Sequence, residues 1–269
     1  MAEDVWKPVQ YERFRRERRA PFDDLLALVR PRSTMRALDL GCGTGELTRI
    51  LHDTLAARET VGIDSSPAML EQSAAHVTPG LRFERRDLRQ AVGAGTWDLV
   101  FSNAALHWID DHETLLARLT DLLAPGGQLA VQVPANSDHP SHRVAAAVAS
   151  EEPFRVRLDG VRPPGGSVPA PERYATLLHD LGYPEQHVRL QVYVHSLDGP
   201  EDVVEWVKGT TLTAFAAHLP ADAYEDFLTR YRTRLLATLA PTRPYVFTFK
   251  RILLWGRRGP TIETPPPRR

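Results

Sequence analysis

The stretch Ala37 to Thr48, ALDLGCGTGELT, constrains the fold more than any other part of the chain, because an apolar run, an acid and alternating glycines occur in it together. Ala37, Leu38 and Leu40 suit the end of a buried parallel strand, and Leu47, Ile50, Leu51 and Leu55 fall on one face of a helix. Gly41, Gly43 and Gly45 therefore occupy the turn between strand and helix. Glycines there let the backbone approach a ligand closely and adopt positive φ without a Cβ clash. In a doubly wound α/β sheet such a turn faces the ligand crevice.

Two ligand classes use a turn of this kind, and the local chemistry separates them. A dinucleotide seats its pyrophosphate on the helix N-terminus, which favours G-x-G-x-x-G and no acid facing the phosphates. Here the third glycine comes one residue early, Glu46 replaces the last Gly or Ala of that fingerprint, and Asp39 stands just before the first glycine. These carboxylates would repel a pyrophosphate but suit S-adenosylmethionine (SAM), which has an α-ammonium and a sulfonium. Asp39-Leu40-Gly41-Cys42-Gly43-Thr44-Gly45 resembles E/D-x-G-x-G-x-G, the first motif of the class I SAM-dependent methyltransferases. The resemblance implies an α/β, Rossmann-like doubly wound sheet of seven strands, with Asp39, Gly41 and Gly43 at the cofactor.

The remaining elements can be read in order. Thr60 to Asp64 is a short second strand, followed by Ser66 and Pro67 as cap and first residue of a helix. Asp64 ends that strand about twenty residues beyond Gly45, where an acid takes both ribose hydroxyls of a nucleoside. Leu81 to Phe83 and Trp97 to Phe101 read as strands three and four, and Gln128 to Val133 as strand five after a helix that Pro125-Gly126-Gly127 ends. His187 to Ser196 and Tyr245 to Arg257 alternate as the last two strands, with a helical cap insertion at about 200–241 between them. The loop Arg162 to Pro171, rich in Pro and Gly, is expected to be mobile. The boundaries expected are an N-terminal helical lid over 1–36, a SAM-binding domain over 37–257 and a disordered Pro-rich tail over 258–269.

With 269 residues, 42% of them hydrophobic and 25% charged, the chain can build a sizeable core. A net charge of -1 provides no general field for nucleic acid or a membrane surface. There is neither an apolar run of membrane-spanning length nor a basic-then-apolar start, so a cytoplasmic protein is expected. Cys42 is the only cysteine, which excludes an internal disulfide and cysteine-rich zinc sites. His107, Asp110, Asp111 and His112 could be taken for a metal cluster, but an acid capping the next helix explains them, and no metal is expected.

Other strings extend the resemblance. Trp6-x-Pro8-x-x-Tyr11-x-x-Phe14, Asp64-Ser65-Ser66-Pro67-Ala68-Met69, Asn103-Ala104-x-Leu106-x-Trp108, Val131-Gln132-x-Pro134, Glu205-Trp206-Val207 and Phe227-x-x-Arg230-Tyr231 are together similar to the trans-aconitate 2-methyltransferases. The Pro-Gly loop and the Pro-Arg tail depart from that family. The resemblance implies that Tyr11 and Arg18 lid the cofactor, Arg18 pairing with its carboxylate. It also places Asp64 at the ribose, Ser65 and Met69 at the cofactor, Asp87 and the Leu88 N–H at the adenine, and Asn103 and Ala104 beside the sulfonium. It implies methyl transfer to a carboxylate of a small polycarboxylic acid, giving a monomethyl ester and S-adenosylhomocysteine. Trp108, Arg173, Trp206, Arg230 and Arg251 are the candidates for holding that substrate, with Lys250 beside them. His107 is a candidate base only if the acceptor is a hydroxyl or an amine. Two alternatives remain: a methyltransferase acting on such an acceptor in a small metabolite, and an inactive SAM-fold interaction protein. Oligomeric state is not readable from the sequence.

Overall fold

A computed structural model describes residues 15–90, 97–161 and 168–259. Tyr11, Phe14 and residues 260–269 lie outside that set, as do residues 162–167 of the Pro-Gly loop and the side chain of Arg18. Five strands come first: β1 (Arg36–Leu40), β2 (Glu59–Asp64), β3 (Leu81–Arg85), β4 (Trp97–Asn103) and β5 (Leu123–Pro134). They are followed by β6 (Glu185–Leu197) and β7 (Tyr245–Arg257), and the sheet order is β3-β2-β1-β4-β5-β7-β6. The first five pair in parallel, while β7 runs antiparallel to both β5 and β6. The near-continuous burial of β1, β2 and β5 is what a parallel sheet covered on both faces requires.

The helices cover both faces. On one face α1 (Arg15–Leu26) buries Phe22 and Leu25 completely, Phe22 meeting Phe101 edge to face at 5.5 Å, and α2 (Glu46–Leu55) buries Leu51 in the same cluster. α3 (Pro67–Ser73) starts at Ser66, whose hydroxyl accepts from the Met69 N–H, as the sequence predicts. On the other face α4 (His112–Asp121) and α6 (Pro171–Asp180) pack Leu115, Leu116, Leu119, Tyr174 and Leu178 against Val100, Leu129 and Leu254. Pro125-Gly126-Gly127 does not end α4, contrary to expectation. That helix stops at Asp121, Leu123 already pairs with Trp97, and the Pro-Gly-Gly sequence accommodates a shift of register before Leu99 pairs with Gln128.

β6 and β7, each of 13 residues, outrun the parallel strands. Arg251 to Arg257 pair with Pro134 to Gln128, whereas Tyr245 to Lys250 continue beyond the carboxyl edge of the sheet, paired with β6. This ribbon carries the cap: α7 (Glu201–Lys208), α8 (Thr213–Ala216) and α9 (Ala221–Thr238). The cap core joins Trp206, Phe215, Phe227 and Tyr231 to Phe247 and Phe249 of β7. It also takes in Ala145 and Val148 of α5 (Pro140–Ala149), together with Phe154 and Leu158, so two separate stretches of chain build it. Among the described residues no helix is long and apolar enough to cross a membrane.

Candidate functional site

The order of strands reverses between β1 and β4, and the crevice at their carboxyl ends is the usual ligand position in such sheets. A cavity of about 350 Å³ lies there. On the β1 side it is lined by Gly41, Gly43, Ile63, Asp64, Ser65 and Met69, and beyond β3 by Arg86, Asp87, Leu88 and Arg89. The turn after β4 contributes Asn103, Ala104, Ala105, His107, Trp108 and Ile109. Pro134, His142, Trp206, Thr210, Thr211, Phe249 and Arg251 close the far wall, under the cap.

The glycine turn has the tight geometry its sequence calls for. At Gly41, with φ 75°, a Cβ would stand 2.3 Å from the Ala105 Cβ, so only glycine lets the β1 and β4 turns approach. At Gly43, with φ 55°, a Cβ would meet no atom within 4 Å, because the space beside it belongs to the cavity. The Gly43 N–H donates to Asp64 Oδ2 at 2.9 Å, and the Ser66 N–H donates to Asp64 Oδ1 at 2.9 Å. Both carboxylate oxygens are thereby fixed, and each keeps lone-pair capacity for a further donor.

Asp39 is not on the cavity wall. It is buried behind the turn, where it accepts from the Thr48 hydroxyl at 2.6 Å. Burial outweighs that bond and, with the charge of Asp64, pushes the Asp39 carboxyl up to about 7. Asp87 does line the cavity, and Arg89 is an ion-pair partner: its guanidinium approaches at 2.5 Å, and its backbone N–H donates at 2.8 Å. Those bonds hold the Asp87 carboxyl below its ordinary range.

Asn103 ends β4 with its Oδ1 buried and, among the described residues, without a hydrogen-bond partner. The next residue, Ala104, sits at φ 56°, a left-handed conformation that costs a non-glycine residue energy, and such strain collects at functional turns. His107 is partly buried in the same turn, with its Nδ1 enclosed and, among the described residues, without a hydrogen-bond partner. Burial, aided by the positive Arg251 nearby, pushes its pKa down to about 3, so the imidazole is neutral at physiological pH. Asp111 caps α4 by accepting from the Thr114 N–H at 3.0 Å, and His112 Nδ1 meets the Tyr174 hydroxyl at 2.6 Å. Among the described residues no group of three or more His, Cys, Asp or Glu could hold a metal ion.

Of the three arginines singled out from the sequence for the substrate, the structure brings Arg251 to the cavity and leaves Arg173 and Arg230 away from it. It is 6% exposed, bonded to Gln132 Oε1 at 3.3 Å and set 4.9 Å from the centre of the Phe249 ring. Arg173 lies away from it, because Glu113 engages its guanidinium at 2.6 Å on the α4–α6 surface. Arg230 is held by Asp226 at 2.8 Å, one turn back on α9, and lies over Phe154. Lys250 pairs with Asp138. Trp108 and Trp206 do line the cavity. His142, Thr210, Thr211 and Phe249 were not foreseen. The alternation of β7, which puts Phe249 on the face of Arg251, could have indicated Phe249, but no local signal marks the other three.

The cavity fits SAM. Open space beside Gly43, two carboxylates toward β2 and β3, and an unsatisfied carbonyl at Asn103 match a ligand that brings hydroxyls, an amino group and an ammonium. A family model described as a methyltransferase domain matches residues 11–194. A trans-aconitate 2-methyltransferase of Deinococcus radiodurans is 43% identical over 259 residues, covering 94% of this chain and 98% of that one. A protein of the same name from Methylobacterium nodulans is 38% identical, with 94% and 98% covered. The crystal structure of the YcgJ protein of Bacillus subtilis superposes with a TM-score of 0.60 at 14% identity, covering 90% of this chain and 99% of that one, a likeness of fold. The chain belongs to the class I SAM-dependent methyltransferases, in the family of the trans-aconitate 2-methyltransferases.

Proposed function

We propose that the chain transfers a methyl group from SAM to a carboxylate oxygen of a small polycarboxylic acid such as trans-aconitate, giving a monomethyl ester. Arg251 is the observation that carries this reading. It is a buried cation on the wall reached from β7, four strands across the sheet order from β2, which carries Asp64. Among the described lining residues the acids are Asp64 and Asp87 alone, both toward the β2 and β3 edge. An anionic acceptor is therefore attracted to the far wall and meets no like charge there. The names of the relatives support the same substrate class.

In this reading the cofactor supplies a methyl group already activated on a sulfonium. Gly41 and Gly43 let the backbone lie against it, and the free lone pairs of Asp64 accept from the ribose hydroxyls, with Ser65 and Met69 beside them. Asp87 and the Leu88 N–H hold the adenine, and Asn103 and Ala104 face the amino-acid end. Asp39 acts from behind the turn, by ordering it through Thr48.

A carboxylate, with a free pKa of about 4, is ionised at neutral pH and needs no general base. The chain supplies orientation, exclusion of water and countercharge. Trp108, Trp206 and Phe249 wall the acceptor from solvent, and Arg251 grips a carboxylate through its planar fork. His107 would serve as base for a hydroxyl or amine acceptor, but its depressed pKa makes it a weak one. A methyl-transfer assay against trans-aconitate, citrate, isocitrate and a panel of phenols tests the proposal. Turnover confined to the polycarboxylates, with Arg251→Lys raising the acceptor KM more than it lowers kcat, is expected. Turnover confined to the phenols would overturn it.

A further inference from the structure

The far wall contains a hydrogen-bond chain that the transfer step does not use. Its first member, His139, caps α5: its Nδ1 accepts from the Ser141 N–H at 3.1 Å and so carries no proton. The Ser141 hydroxyl lies 2.8 Å from the same nitrogen and donates its one proton there. With the Ser141 proton on that side, the 3.1 Å contact from Ser141 Oγ to His142 Nδ1 is made by a proton on His142 Nδ1. A neutral imidazole has one N–H, so His142 Nε2 bears a lone pair, and the Thr211 hydroxyl 3.0 Å away donates to it. His142 is neutral because burial, with His139 beside it, holds its pKa down to about 4 against the pull of Asp138. Thr211 thus presents only lone pairs to the cavity it lines.

A carboxylate placed against that oxygen would be repelled. Adding a proton to His142 Nε2 reverses the contact: the new N–H donates to Thr211, and the hydroxyl turns its proton toward the carboxylate. We propose that Thr211 and His142, with Arg251, seat the non-reacting carboxylate of the acceptor, and that seating it moves one proton from solvent onto His142. This rests on the polycarboxylate reading above.

The groups facing His142 agree with that exchange. Asp138 and His139 precede it, and Lys250 of β7 engages Asp138. Arg251 of β7 and His107 of the β4 turn share the cavity wall, and Thr210 and Thr211 come from the α7–α8 turn. The Phe249 ring lies 6.4 Å away, and Tyr231 of α9 donates to the Ser141 carbonyl at 3.1 Å. With Asp138 held by Lys250, the incoming carboxylate is the anion that compensates a charged His142.

The test is calorimetry of the full chain, saturated with S-adenosylhomocysteine and titrated with trans-aconitate at pH 6 in buffers of different ionisation enthalpy. The wild type should take up close to one proton per acceptor bound. Its acceptor KM should rise about tenfold per pH unit between the free and bound pKa values of His142. His142→Gln, whose amide keeps an N–H toward Thr211, should bind with no uptake and a KM flat in pH over that range. Thr211→Val should lose the uptake and raise KM. Polycarboxylate turnover with no proton uptake in the wild type, or unchanged uptake in His142→Gln, overturns this seat and leaves the proposed activity standing. No turnover on any polycarboxylate overturns both, and the wild-type proton count depends on no variant folding.

Discussion

Replacing Gly43 with alanine separates the cost of the turn from the space it leaves for the cofactor. The residue sits at φ 55°, and the added Cβ meets no atom within 4 Å. The fold therefore loses only the left-handed backbone preference, about 1–2 kcal/mol. In a domain of this size that lowers Tm by roughly 2–4 °C per kcal/mol. The N–H that donates to Asp64 at 2.9 Å is retained, so the β1 and β2 tips stay joined. The new methyl group, however, stands where the backbone must lie against the ligand. Losing that contact by the width of a methyl should raise the SAM Kd at least about a hundredfold, since each tenfold is 1.4 kcal/mol. Gly41→Ala is the contrast: its Cβ would stand 2.3 Å from the Ala105 Cβ, so stability itself should fall by several degrees more. Calorimetry with SAM and thermal melts of both variants make the comparison. Wild-type SAM affinity in Gly43→Ala would refute the placement of the cofactor over this turn.

Asp64→Ala should weaken SAM binding by at least tenfold while the protein still melts cooperatively, because a carboxylate accepting two donors is removed from the wall. Unchanged affinity would remove the ribose role. Asp39 is raised to about 7 by burial, so the folded state keeps a proton that the unfolded chain releases above its ordinary 3.8. This group therefore lowers stability progressively from about pH 4 to about pH 7, and its full cost is present above that. Asp39→Asn keeps an acceptor for Thr48, and it should raise Tm by several degrees at pH 8 and little at pH 4. Parallel Tm curves for variant and wild type would contradict the argument. His107→Ala should leave kcat on a carboxylate acceptor within about tenfold, and a loss above about a hundredfold would make His107 a base and the acceptor a hydroxyl or amine.

The β1–β2 wall of the cavity was legible because its signals are local. Glycine spacing, the acid at the tip of β2 and the Ser66-Pro67 helix start are each decided by a few consecutive residues, and the structure places Gly41, Gly43, Asp64, Ser65 and Met69 on one wall. Asp39 belongs to the same motif yet points away, because alternation along β1 turns its side chain toward Thr48 of α2. Pro125-Gly126-Gly127 reads as a helix stop on composition, and only the pairing of Leu123 with Trp97 reassigns it to an irregular strand.

By itself, then, the sequence determined the class of fold, the cofactor and the first wall of the cavity, because period, turn chemistry and capping act over short distances along the chain. Tertiary structure decided the second wall. Arg173, Arg230 and Arg251 are alike as sequence, but Glu113 and Asp226 occupy the first two, whereas the antiparallel register that sets Arg251 opposite Pro134 delivers the third to the end of β5. His142 and Thr211 meet only because α5 and the α7–α8 turn join one cap core around Trp206 and Phe247. Contacts between segments so far apart depend on which faces pack together, and no local pattern encodes that choice.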